Sequence, residues 1–156
     1  MSEEKKTGPI IMVLLGCLAL GCLAVPVVGI LAAIAIPNFI SMQYKSKRAE
    51  VPTNLKGIKT AQLAYDAEFD TFIDCDPYPY YPSKVIQDWT MSESGGFSVL
   101  GWMPDGGVRG SYWVEVNGYD FTATGISDID GDGIYATYVA TKSMNPNSPI
   151  TSPDVY

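Results

Sequence analysis

The pattern of apolar positions begins with a run over residues 9–40 that contains no charged side chain. Its 32 residues exceed the roughly 20 that a helix needs to cross the hydrocarbon core of a bilayer. A helix satisfies its backbone hydrogen bonds internally, so the pattern predicts a transmembrane half of a long helix over residues 9–44. Secretory signals have apolar cores of only about 7–15 residues. We therefore expect the run to remain as an anchor, preceded by a charged leader at residues 1–8.

The next segment, residues 45–72, has the pattern of an amphipathic helix. Its apolar residues recur at spacings of three and four and fall on one stripe, which Gln62 alone interrupts with a polar side chain. The members of the stripe are Val51, Leu55, Ile58, Tyr65 and Phe69. Such a stripe is typical of a helix that packs on the protein's own sheet. We expect the helix to end near residues 69–72.

Charged residues and prolines interrupt the long helix at defined places. Three basic residues, Lys45, Lys47 and Arg48, follow directly after the apolar run. At that position anionic lipid headgroups would hold them. Prolines remove helical hydrogen bonds, so we expect bends at Pro26 and Pro37 and a further one at Pro52.

The second half of the chain alternates between turn signals and β patterns. Residues 73–96, rich in proline and tyrosine, are predicted to form an irregular connector between helix and sheet. An antiparallel meander is predicted over residues 97–141, because short turns join its strands. Asn117-Gly118 is a strong signal for a two-residue hairpin within it. The four predicted strands cover residues 97–102, 108–116, 119–126 and 134–141.

These elements together predict an α+β fold. The amphipathic part of the helix is the element available to cover one face of the four-stranded antiparallel sheet. Helix, connector and sheet then form a head domain over residues 45–156, which ends in an extended or loose tail at residues 142–156.

Composition excludes several classes of function. From Glu50 onward there are 15 acidic residues against five basic ones, a net charge of −10. A head this acidic is repelled by phosphate backbones, so we expect no nucleic-acid partner. The chain has no histidine, no motif for an activated nucleophile and no phosphate-binding loop, so we do not expect an enzyme. Cys75 is the single cysteine of the head, which leaves no disulfide within it.

Two strings in the helix strongly resemble type IV pilins and the related pseudopilins. They are GILAAIAIPNFI at residues 29–40 and KSKRAEVPTNLKGIKTAQLAY at residues 45–65. The resemblance covers roughly residues 27–72 and implies that Gly29, Pro37 and Phe39 belong to the helix that forms a filament core. It also agrees with the predicted helix, connector and antiparallel sheet.

The resemblance implies a structural subunit of a type IV pilus or of a type II secretion pseudopilus. Such a subunit is a single-pass inner-membrane protein with an extracytoplasmic head, and becomes part of a cell-surface filament on assembly. The implied partners are copies of itself, other pilins, the inner-membrane assembly platform and the lipid bilayer. Motility, cell adhesion, DNA uptake and secretion all remain open as the purpose of the filament.

The region before Gly29 departs from the pilin pattern. In these families a leader is cut after a glycine, the new first residue is methylated, and a glutamate follows five residues into the mature chain. Counting back from Gly29 places the cut at Leu15-Gly16 and the acid at Leu20, and neither matches. Gly16-Cys17 lies one residue away and is the processing site that we consider. Residues 14–17 (LLGC) also resemble a lipobox, in which Cys17 would carry the lipid.

The motif DIDGDG at residues 128–133 places carboxylates at alternate positions, as the first half of a calcium loop does. The side chains of Asp128, Asp130 and Asp132 and the carbonyl of Ile134 would supply oxygens to a structural calcium ion. Type II secretion pseudopilins are similar in using a calcium-stabilised C-terminal loop.

Two observations stand against a calcium ion. The twelfth loop position, where a bidentate acid is expected, is Val139. Asp and Gly are also what a tight turn without any ion would contain. The alternative to a filament subunit is a membrane-tethered extracytoplasmic binding domain that has a calcium-stabilised loop and does not polymerise.

Overall fold

The computed structural model describes the backbone of residues 7–156 and the side chains of residues 11–17 and 25–156. The chain divides into two compact units, with the boundary in the sequence between Met42 and Gln43. Its elements in chain order are helix α1 (Thr7–Arg48), helix α2 (Glu50–Phe69), strand β1 (Cys75–Tyr78), a 3-10 turn (Met91–Glu93), helix α3 (Gly96–Leu100), and strands β2 (Ser111–Asn117), β3 (Asp120–Ser127) and β4 (Ala136–Thr141). The predicted leader at residues 1–8 lies mostly outside the described residues.

In the first unit, the described side chains of helix α1 at residues 11–17 and 25–40 are almost all apolar and exposed. The stretch Val25–Phe69 contains an 18-residue window with a mean hydropathy of 2.0, and none of that window is buried. By length and composition the helix can cross a membrane, as predicted. Pro26 and Pro37 both lie inside the continuous helix α1.

The boundary between α1 and α2 follows from Pro52. A proline has no N–H to donate to the carbonyl four residues earlier, and its ring crowds that carbonyl. The carbonyl in question belongs to Arg48, where α1 ends, and Ala49 separates the two helices. Pro52 itself is tolerated in the first turn of α2, where backbone N–H groups have no intrahelical partner. The interruption predicted at Pro52 is thus confirmed.

In the second unit, α2 packs on one face of a four-stranded antiparallel sheet of order β1-β2-β3-β4. This confirms the predicted α+β fold. Gly125 allows the close approach of helix and sheet, because a Cβ there would lie 2.7 Å from Val51 Cγ1. The buried apolar core consists of Val51, Leu55, Ile58, Phe72, Cys75, Phe97, Leu100, Val108, Tyr112, Val114, Phe121, Ala123, Ala136, Tyr138 and Ala140.

The amphipathic stripe is confirmed except at its end. Val51, Leu55 and Ile58 are buried, whereas Phe69 is 57% exposed because α2 ends there. Gln62, the polar interruption, has no exposed surface. Its Nε2 donates to the Ile73 carbonyl at 2.7 Å and its Oε1 accepts from the Ile73 N–H at 3.0 Å. This buried amide holds the chain where it leaves the helix.

The first predicted strand is wrong. Residues 96–100 form α3, and the strand that completes the sheet is β1, inside the predicted irregular connector. Gly101 ends α3 with φ +70°, and the Trp102 N–H bonds to the Phe97 carbonyl, which is a glycine-dependent helix stop. A Cβ on Gly96 would lie 2.1 Å from the Asp74 carbonyl oxygen, so this glycine permits α3 to lie against the start of β1.

The β2–β3 hairpin has a two-residue loop, as predicted, but in a register shifted by one residue. Its loop residues are Gly118 and Tyr119, because Asn117 pairs with Asp120. Gly118 has φ +62°, which suits the first loop position of a type II′ turn. This register places Phe121 in the core opposite Val116, and a slip of one residue would turn it outward.

The tail, residues 142–156, is predicted to be extended or loose, and the structure shows an irregular segment that is attached and not loose. Backbone hydrogen bonds attach it to the sheet at several points. The Ile150 N–H donates to the Thr137 carbonyl at 2.8 Å, and the Ile129 N–H donates to the Tyr156 carbonyl at 2.9 Å. The Thr137 N–H in turn donates to Thr151 Oγ1 at 3.2 Å.

Candidate functional site

The residues assigned to a filament core lie on the exposed surface of α1. Phe39 is 61% exposed, and a Cβ built on Gly29 would meet nothing within 4 Å. The surrounding side chains are equally apolar and exposed, and include Val28, Ile30, Leu31, Ile34, Ile36 and Ile40. A helix surface of this kind is solvated by lipid or by other apolar helices, and not by water.

The two residues of the considered processing site, Gly16 and Cys17, lie within helix α1. Cys17 is exposed, and a Cβ on Gly16 would meet nothing within 4 Å. Leu20, where the acid of the pilin pattern would stand, is among the residues whose side chains lie outside the described set. Cleavage or lipidation at this position stays a prediction.

The structure brings the three predicted calcium ligands together. One carboxylate oxygen from each of Asp128, Asp130 and Asp132 lies within 4.8 Å of the others. Asp128 Oδ2 accepts from the Gly133 N–H at 3.3 Å, and Asp132 Oδ1 accepts from the Ile134 N–H at 2.8 Å. Ile134 thus lies beside the cluster, although ligation through its carbonyl stays a prediction.

Among the described residues, two carboxylate oxygens of this acidic loop are buried and are not stabilised by a hydrogen bond. Asp128 Oδ1 and Asp130 Oδ1 are buried and lack a hydrogen-bond partner among the described residues. A buried carboxylate oxygen without a partner is costly. Hard oxygen donors in this arrangement suit a calcium ion, so the residues fit the predicted metal.

A lysine already lies next to the acidic loop. A Cβ on Gly131 would fall 2.5 Å from Lys84 Nζ, which places the ammonium group beside the loop backbone.

The backbone of the acidic loop requires glycine at two positions. Gly131 and Gly133 have φ +73° and +82°, which other residues rarely adopt. Val139 lies in β4 and pairs with Thr124, so the chain has returned to the sheet before a twelfth ligand could be placed.

Sequence reasoning missed the role of Arg48, which we expected to face lipid headgroups. Its side chain is only 7% exposed. One guanidinium nitrogen donates to the carbonyls of Pro153, at 3.1 Å, and of Val155. The guanidinium also lies over the Tyr156 ring, 5.4 Å from its centroid. Arg48 stands three residues before Val51, so it lies on the buried stripe, and that spacing was the available signal.

A second polar cluster joins α2 to the chain before β2. Glu50 Oε1 accepts from the N–H groups of Arg109 (2.8 Å) and Gly110 (3.2 Å) and from the Tyr112 hydroxyl (3.0 Å). Asn54 Nδ2 donates to the same hydroxyl at 2.9 Å. Burial, with a further contribution from the Glu50 charge, raises the pKa of Tyr112 well above its usual value. The phenol stays neutral, and the cluster is a structural one.

Cys75, the cysteine of the head, is not activated for chemistry. It is 2% exposed, and burial, followed by the charges of Asp74 and Asp76, raises the pKa of its thiol to about 12. A nucleophilic cysteine requires the thiolate form and access. Neither condition is met here.

Comparison with known proteins places the similarity in part of the chain. No family model and no solved structure matches it. The chain is similar to the type IV major pilin protein PilA of Myxococcus xanthus (strain DK1622), with 52% identity over 52 residues. The match covers 33% of this chain and 24% of the relative, so the chain spans about a quarter of that protein's length. This homology, the long apolar helix and the four-stranded antiparallel sheet together fit a type IV pilin-like protein.

Proposed function

We propose that the chain is a structural subunit of a type IV pilus-like filament and is anchored in the membrane by α1 before assembly. The observation that carries this proposal is the apolar part of α1 around residues 25–40, whose described side chains are exposed and almost all apolar. Such a surface can exchange lipid for copies of itself without exposing apolar area to water. The similarity to a type IV major pilin supports the role of a pilus subunit.

Packing between copies of α1 is supported by its small residues. Gly29, Ala32, Ala33 and Ala35 lie close together along the helix. In a bilayer the hydrophobic effect does not drive helices together, and small side chains instead let their backbones approach closely enough to pack. A head-to-tail arrangement that does not close produces an open helical filament. The acidic heads would then form the soluble exterior of the filament.

The proposal predicts that Gly29→Leu prevents filament formation without affecting membrane insertion. A side chain at residue 29 meets nothing within 4 Å inside the chain, and leucine raises both apolarity and helix propensity. The added bulk is harmful only where another helix packs, at about 1–3 kcal/mol for each copy. We expect the subunit to stay at its normal level in the membrane fraction while sheared surface filaments, counted by electron microscopy, are lost.

The matched control is Val28→Leu, a change between two apolar side chains at an exposed neighbouring position. Normal filament numbers in Gly29→Leu would contradict close packing at this glycine.

An unsubstituted protein that inserts in the membrane but forms no filament in its own cells would favour the tethered binding domain. The intact mass of the protein from cells tests whether the leader is cleaved. A methylated N-terminus near residue 16 would support cleavage, and a full-length chain would contradict it.

We also propose that the acidic loop binds a structural calcium ion, which the two partnerless oxygens of Asp128 and Asp130 support. An ion that binds the folded state alone stabilises it by about 2.7 kcal/mol at 100 times its Kd. We therefore expect calcium to raise the Tm of the head by several degrees and a chelator to reverse this. Asp130→Ala should abolish the calcium-dependent shift, whereas Asp105→Ala, an exposed acid outside the loop, should retain it. Equal Tm values in calcium and in chelator would end the proposal.

A further inference from the structure

The tip of the β2–β3 hairpin combines an asparagine, a glycine and full access to water. Asn117 and Gly118 are exposed, and the next residue, Tyr119, is 96% exposed. The strand pairing ends at Asn117 and Asp120, which leaves Gly118 outside the paired register. A Cβ on Gly118 would meet nothing within 4 Å. The peptide bond between Asn117 and Gly118 is therefore open to solvent and free of steric cover.

We propose that Asn117 is a site of spontaneous deamidation, with water as the co-reactant. The Gly118 backbone nitrogen loses its proton and attacks the Asn117 side-chain carbonyl carbon, forming a new C–N bond. The bond from that carbon to the amide nitrogen breaks, and ammonia leaves with the proton. Water then opens the resulting succinimide at either of its two carbonyls. The products are an aspartate or an isoaspartate at position 117.

Local structure favours this asparagine over the other four in the chain. The attack needs an accessible following nitrogen, and glycine carries no side chain to obstruct it. Asn54 lies in α2 and is bound to Tyr112, and Asn145 is followed by proline, which has no N–H. Asn38 lies in helix α1. Asn147, followed by Ser148, is the nearest competitor and serves as an internal comparison.

The modification has a structural consequence that follows from the register. Asn117 pairs directly with Asp120, so an aspartate product places two like charges opposite each other, which destabilises a strand pair. Asp120 Oδ1 also accepts from the N–H groups of Phe121 (2.8 Å) and Lys142 (3.0 Å). An isoaspartate adds a methylene to the backbone at the last paired residue. Either product loosens the hairpin tip and its link to the end of β4.

The test is peptide mapping by mass spectrometry of the full-length protein, incubated in detergent micelles at neutral and at mildly alkaline pH. We expect conversion at Asn117 to be at least about tenfold faster than at Asn147, equivalent to about 1.4 kcal/mol in activation free energy. Both isoaspartate and aspartate should form, and the rate should rise with pH because the Gly118 nitrogen must lose its proton. Asn117→Ser should release no ammonia from the tip, and Asn117→Asp should reproduce the loosening caused by charge alone.

Two results would overturn the proposal. One is equal conversion at Asn117 and Asn147, which would mean that the tip has no special reactivity. The other is an unmodified Asn117 in the folded chain under conditions in which the urea-unfolded chain converts. That result would mean that the hairpin geometry blocks the attack. Neither result depends on whether the chain forms filaments.

Discussion

Replacing Gln62 with leucine is expected to lower the free energy of unfolding of the head by about 2–4 kcal/mol. Leucine has a similar volume and fits an apolar core, so the loss reports hydrogen bonding and not a cavity. The amide of Gln62 satisfies both the carbonyl and the N–H of Ile73, at 2.7 and 3.0 Å. Without it those two backbone groups lose their partners where the chain leaves α2. All three tryptophans lie in the head, so tryptophan fluorescence during urea unfolding measures the change.

Two further variants test this expectation, one at the same position and one as a control. Gln62→Glu keeps an acceptor for the Ile73 N–H but faces the Ile73 carbonyl with a carboxylate, so it should not restore stability. Thr60→Leu changes an exposed position of the same helix and should alter stability by less than about 0.5 kcal/mol. If the Gln62→Leu protein is as stable as the unsubstituted protein, the prediction is wrong, and water then satisfies the Ile73 carbonyl and N–H in place of the amide.

The second large effect is expected from Arg48→Met, which should lower the free energy of unfolding of the head by about 2–3 kcal/mol. Methionine keeps an apolar stem but removes the donors that reach the Pro153 and Val155 carbonyls and the cation over the Tyr156 ring. The tail should then detach locally. Hydrogen exchange measures this directly at the Ile129 amide, which is bonded to the Tyr156 carbonyl and should exchange faster.

The neighbouring Lys47→Met is the matched control, since Lys47 is exposed and its loss should leave both stability and exchange unchanged. Arg48→Lys tests geometry, because an ammonium group lacks the planar fork of the guanidinium. It should recover only part of the lost stability. Unaltered exchange at Ile129 in Arg48→Met would contradict the role assigned to the arginine.

The strongest periodic patterns predicted the structure well. The charge-free run and the stripe through Val51, Leu55 and Ile58 each repeat one signal over many residues, so the helix and its buried face followed from sequence. The proximity of the three aspartates in the acidic loop was also predicted, because alternate aspartates with glycine after the second and the third are brought together by a single local turn. In both cases the structure depends on residues that are close in sequence.

The errors arose where distant contacts decide the structure. Residues 97–100 are apolar enough for a strand or a helix, and the fit of Gly96 against the Asp74 carbonyl is not visible from the local pattern. β1 contains Pro77, which argues against a central strand, but β1 is an edge strand and tolerates it. Arg48 looked like a headgroup-binding residue because its partners, the carbonyls of Pro153 and Val155, lie more than a hundred positions away.

The attached tail has a consequence for how copies of the chain avoid aggregation. β4 is an edge strand of the sheet, and an unpaired edge is a template on which another chain can add a strand. Here the chain's own tail occupies both ends of that edge, through Thr137 with Ile150 and Thr151 and through the Thr141 N–H, which donates to the Met144 carbonyl at 3.1 Å. These bonds hinder the addition of a strand from another chain along β4. In the filament proposed above, association would instead use the apolar surface of α1.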